Sequence, residues 1–159
     1  MSLGQILQLS GRHIFRLEDN VRGNLKVLEL YREKRFSDRL RGAPSIEGNI
    51  GALDDDTASI VAAYMESAPI LIEFGTDIPD PHFAQDRVRY VLFSDGFYVW
   101  DGIILNWVRK HRVRLPHEFI EHVKESVGKN DRLISLNTGA LLHAVKSAEP
   151  VFADEAPPV

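Results

Sequence analysis

His117-Glu118-Phe119-Ile120-Glu121-His122 gathers two imidazoles and two carboxylates in one short stretch, the side-chain set of a zinc-binding hydrolytic helix. Such helices space their histidines four apart, about 400° of turn, so that both ligands return to one face. Here the spacing is five, which carries the second imidazole roughly 140° around from the first and leaves Phe119 and Ile120 on the face turned to a core. The segment therefore reads as polar positions on an amphipathic helix. Asp54-Asp55-Asp56-Thr57 offers three adjacent carboxylates, but a calcium loop needs oxygens at alternate positions, a glycine bend and a distal glutamate, and none of these is present. A helix N-cap and first-turn charges account for the three. Arg109-Lys110-His111-Arg112, with Arg114, is the one dense basic patch, and beside Trp107 it could grip a nucleic-acid backbone. The acidic whole opposes that use, and cations near a helix C-terminus meet unsatisfied carbonyls.

Glycine-rich phosphate loops, a Gly-x-Ser-x-Gly elbow and a dinucleotide fingerprint are all missing. The sequence has no cysteine, which excludes disulfides, thiolate metal sites and a cysteine nucleophile. No catalytic residue, cofactor or metal site is thus expected, and neither nucleic acid nor membrane is expected as a partner. Met1 to Leu9 lacks the basic start and apolar run of a signal peptide, and no stretch approaches the length of a membrane span, so the expectation is a cytoplasmic protein.

The elements that would position these residues follow from periodicity. Leu25, Leu28 and Tyr31 recur at helical spacing, predicting an amphipathic helix over Asn24–Arg41. Gly42 to Gly51 reads as a long loop, and Asp54–Asp56 cap a helix ending near Ser67. Alternation predicts a strand from Pro69 to Phe74, followed by a proline-bearing loop from Asp77 to Pro81. Arg87–Ser94, the two-residue turn Asp95-Gly96 and Phe97–Trp100 form a hairpin. Asp101 caps a helix with Ile103, Ile104, Trp107, Val108 and His111 on one face. Pro116 opens another, with Phe119, Ile120, Val123 and Val127 as its apolar stripe and Gly128 as its stop. Residues 132–146 read either as a short strand at Leu133–Leu136 or as a short helix at Ala140–Val145, and 149–159 as a disordered tail. The expected architecture is one α+β domain over residues 1–148: a small antiparallel sheet with an Asp-Gly hairpin, packed against several helices.

With 159 residues, 44% hydrophobic and 26% charged, the chain can bury a core without staples. Its net charge of −4 is unevenly placed: residues 42–86 hold nine acidic residues and no Lys or Arg. Such a block would steer a basic partner.

Val91-Leu-Phe-Ser-Asp-Gly-Phe-Tyr-Val-Trp100, followed by Leu115-Pro-His-Glu-Phe-Ile-Glu-His122, resembles small bacterial immunity proteins of polymorphic-toxin and contact-dependent growth inhibition systems. In those a Thr/Ser-Asp-Gly-x-x-Val-Trp turn precedes two helices, the second opening Leu-Pro-x-Glu-Phe, and Asp77-Ile-Pro-Asp80 looks like their lead-in. Ile103 to Trp107 departs from the Tyr-rich helix of that pattern. The resemblance implies a cytoplasmic protein that occludes the active site of a cognate toxin domain and has no reaction of its own. Combined with the acidic block, it makes a basic nuclease one candidate toxin and Glu47, Asp54, Asp55, Asp56, Asp77 and Asp80 the candidate toxin-binding residues. Two readings of other classes stay open: a small metal-dependent hydrolase or nuclease assembled from His111, His117 and His122, which requires those side chains to converge, and an adaptor subunit of another complex.

Overall fold

The structure is a computed structural model, and it describes residues 25–35, 40–129 and 138–156. The fold is α+β, and the described residues hold one five-stranded sheet. Strands β1 (Lys26–Leu30), β2 (Ile70–Pro79), β3 (Arg87–Ser94), β4 (Tyr98–Asp101) and β5 (Glu149–Phe152) lie in the order β2-β3-β4-β1-β5. The sheet is mixed. β2, β3 and β4 form an antiparallel meander as expected, whereas β1 runs parallel to both β4 and β5. The helices are α1 (Asp55–Ser67), α2 (Gly102–His111), α3 (His117–Lys129) and α4 (Thr138–Val145).

The helix expected over Asn24–Arg41 is replaced by β1 and a single 3-10 turn, Arg32–Lys34; residues 36–39 lie outside the described part. The physical reason is that β1 lies inside the sheet and is covered on both faces. Leu25 packs into the cluster with Leu141 while Leu28 packs into the cluster with Trp107. Residues three apart on a strand point to opposite faces, so an apolar i, i+3 pattern arises from two-sided burial as well as from a helix.

Two apolar layers sandwich the sheet. The larger joins α1, α2 and α3 to one face through Trp100, Trp107, Phe93, Phe119 and Met65; the smaller sets Leu141 of α4 against Leu25, Val27 and Val99 on the other. Trp100 and Trp107 are wholly buried. Each removes about 200 Å2 from water, roughly 5 kcal/mol as an upper bound. α2 lies so close to β3 that a Cβ on Gly102 would stand 2.1 Å from the Arg89 carbonyl oxygen, so no side chain fits at the start of that helix.

Further expectations change. β2 does not stop at Phe74 but passes through a bulge at Gly75, φ +69°, and ends at Pro79, so the loop expected from Asp77 starts later. The tail expected to be disordered from Glu149 forms β5, whose Val151 packs into the larger core; Pro150 is tolerated because β5 is an edge strand. The hairpin turn is longer than two residues, since Ser94 pairs with Val99 and Asp95 to Phe97 lie between the strands. Gly128 lies within α3 and does not end it, and Val127 is 54% exposed. Ala140–Val145 is helical within α4, while the alternative strand at Leu133–Leu136 lies outside the described residues.

Candidate functional site

The six candidate acidic residues separate into two settings. Asp54 caps α1: its Oδ1 accepts from the Thr57 amide at 2.8 Å and its Oδ2 from Thr57 Oγ1 at 2.7 Å, and these bonds hold its carboxyl below the ordinary value. Asp55 is exposed and pairs with Arg112 of the α2 C-cap at 2.9 Å. Asp56 is exposed and has no side-chain partner among the described residues. Glu47, largely exposed, stands 3.4 Å from His82 Nε2. Asp77 is exposed on β2. Asp80 is a correction, because it is 2% exposed and faces inward. Its Oδ1 accepts from the His82 and Phe83 amides and from Trp107 Nε1, and its Oδ2 from Asn106 Nδ2, so it anchors the 80–86 loop to α2 and presents nothing to a partner.

Asp86 closes the same loop. It accepts from Lys110, from His111 Nε2 at 2.7 Å and from Asn106 Nδ2 at 3.1 Å, and these three bonds, Lys110 first, hold its carboxyl well below the usual range. Phe83 lies flat on the His111 ring with centroids 3.4 Å apart. The rest of the basic run is likewise engaged within the chain. Arg109 pairs with Glu66, Arg112 with Asp55, and Arg114 donates to Asn49 Oδ1 at 3.0 Å. The separation of charge read along the chain is therefore not kept in space, for the fold lays the basic end of α2 against the acidic block. Between α1 and α2 these pairs border a groove of about 310 Å3 floored by Ala58, Ser59, Ala62 and Ala63.

The three histidines do not converge. His111 bonds to Asp86, His117 is exposed beside Glu121, and His122 bonds to Asp95. No group of three or more His, Cys, Asp or Glu that could hold a metal ion occurs among the described residues.

His122, expected to be exposed, is instead part of a second carboxylate hub. Asp95, 5% exposed, uses Oδ1 to accept from the Phe97 and Tyr98 amides and Oδ2 to accept from Tyr64 Oη and His122 Nε2, both at 2.6 Å. Four donors fill the acceptor capacity of one carboxylate. The hub ties the β3–β4 turn to α1 and α3. Burial and then the Asp95 charge push the Tyr64 phenol far above its ordinary value. Asp-Gly signals a turn in the sequence, but nothing in the sequence signals that Asp95 would gather donors from Tyr64 and His122.

A third cluster was not foreseen either. Lys34 is 5% exposed, with Glu29 at 2.9 Å and the α2 N-cap Asp101 at 3.0 Å. Burial works against its charge, but the carboxylates of Asp101 and Glu29 outweigh it and hold the ammonium above its ordinary value. Among the described residues no helix is long and apolar enough to cross a membrane. Compared with protein-family models, with curated proteins and with solved structures, the chain matches none.

Proposed function

We propose that this protein is an immunity protein that acts in the cytoplasm by binding a toxin domain and covering its active site. The observation that carries the reading is the joining of the two segments that resemble that class. Asp95 of the Ser-Asp-Gly turn is bonded to His122 of the Leu-Pro-His-Glu-Phe helix, and Tyr98 packs edge-on against Phe119 with centroids 4.9 Å apart. The resemblance therefore rests on one buried unit, which supports a common scaffold whose surface varies with the partner. Binding, and not turnover, suits a chain whose His111 and His122 are held by carboxylates in separate places.

The partner-facing carboxylates in this reading are Glu47, Asp55, Asp56 and Asp77, which are exposed. Asp55 already holds Arg112, but a surface pair contributes little and exchanges readily for a partner's Arg or Lys. A basic nuclease domain is the toxin that such a surface would attract fastest at low salt.

The test is co-expression of this chain with the C-terminal toxin domain of an adjacent secreted-protein gene, followed by growth and co-purification. The expected outcome is restored growth and a stable complex, with the Asp55→Asn/Asp56→Asn double variant associating more slowly and with a weaker salt dependence. Toxicity without rescue or binding would overturn the reading, and an unchanged salt dependence would remove its electrostatic part.

A further inference from the structure

The two edges of the sheet differ in what they offer. β5 is four residues long and contains Pro150, which has no N–H to donate. β2 is ten residues long, about 33 Å of edge, with its one proline at the last position. Among the described residues β2 pairs with β3 alone, so its outer row of backbone N–H and C=O groups lacks a strand. Along it Ile70, Ile72 and Phe74 are 41, 37 and 52% exposed, and Phe74 stacks on the exposed Tyr90 of β3 with centroids 4.2 Å apart. Its only charges are Glu73 and Asp77. Glu73 is held by Arg89 of β3, while the Asp77 carboxylate has no partner among the described residues.

We propose that the outer edge of β2 is a docking surface for an extended segment of a partner protein, added as a sixth strand, in which apolar side chains alternate with Lys or Arg. The backbone groups supply the ladder and the side chains the selectivity. Apolar positions of the incoming strand meet Ile72 and Phe74, on the face of Tyr90, and basic positions meet Glu73 and Asp77 on the other face, to which the register shift after Ile70 also turns that residue. A second copy of this chain is the poorer occupant, because β2 carries acidic and no basic residues: self-pairing offers its carboxylates no countercharge, and in the registers centred on Glu73 or Gly75 it sets them against each other. The same two acids and the bulge at Gly75 protect an edge from self-association; toward a basic strand that protection becomes attraction, which is how one edge rejects its own kind and accepts another. This inference goes beyond the toxin reading and holds for any partner that carries such a segment.

Hydrogen exchange of the full-length chain, read over residues 69–79, tests it with three capped ten-residue peptides: one alternating valine with lysine, one alternating valine with glutamate, and the valine–lysine peptide N-methylated at every residue, so that neither of its edges can donate to a ladder. Without peptide, the outward amides of β2 exchange quickly at every protein concentration. With the valine–lysine peptide at ten times its Kd, their exchange slows about tenfold. The other two peptides give no protection, and Asp77→Lys weakens the effect. Four results overturn the proposal: protection already present without peptide, which means that the chain's own segment covers the edge; protection rising with protein concentration, which means a second copy; no protection at millimolar valine–lysine peptide; or equal protection by the N-methylated form, which means contact through the side-chain face alone. None of these bears on growth rescue, so failure here and failure of the toxin reading are separable.

Discussion

Asp95 and Asp56 are the same residue type in opposite settings. Asp95 is buried where the hairpin turn, α1 and α3 meet, and four donors converge on it; Asp56, in the first turn of α1, faces water. Asp80 and Asp86 belong with the first, Asp55 with the second. A carboxylate removed from water is tolerated only when donors replace the water, and removing it then leaves those donors stranded. An exposed carboxylate keeps its hydration, so its removal changes the field outside the protein and little inside it. Among the described residues the buried carboxylates, Glu29, Asp80, Asp86 and Asp95, are thus architecture, and only exposed ones are available to a partner.

The contrast can be broken most directly at Asp95. Asp95→Ala strands the Tyr64 hydroxyl, the His122 imidazole and two amides, and should lower stability by about 3–5 kcal/mol in a urea titration. A loss under 1 kcal/mol would mean that water replaces the carboxylate and that the hub is not a structural centre. Asp80→Ala removes the acceptor of Trp107 Nε1 and of the loop amides. The expected loss is about 2–3 kcal/mol, accompanied by a change in tryptophan emission.

The pH dependence sharpens the same comparison. The folded Asp86 carboxyl is held below its unfolded value, so its contribution to stability is complete above about pH 4 and is lost as pH falls through the lowered folded value. Melting between pH 5 and 2 should show wild-type stability falling faster than that of Asp86→Asn; parallel curves would detach Asp86 from that loss. The smallest effect is expected at the head of α1. Asp56→Asn should leave the urea midpoint unchanged, whereas Asp54→Ala, which removes the cap, should lower it measurably. A large shift from Asp56→Asn would place that residue with the buried set.

Much of the local structure was legible in the residues. The caps at Asp54 and Asp101, the long loop from Gly42, the β3–β4 hairpin and the start of α3 after Pro116 each follow from side chains acting within a few positions of themselves. Alternation stops at Phe74 because Gly75 bulges the strand there, and the strand's continuation to Pro79 shows only once β3 is known to pair with it. The candidate site was legible only in part: composition marked the acidic block but not that Asp80 turns inward or that the α2 cations fold onto its neighbours.

The sequence by itself determined the α+β class, the lack of cysteine chemistry and the starts of α1, α2 and α3, because these depend on residue type and short spacing. Only the tertiary structure decided that Leu25 and Leu28 lie on opposite faces of a parallel strand, that residues 149–152 close the sheet, and that Asp95 meets His122. Those contacts join residues far apart in the chain, and the energy that selects them comes from burial and from satisfying buried polar groups, which no local pattern records.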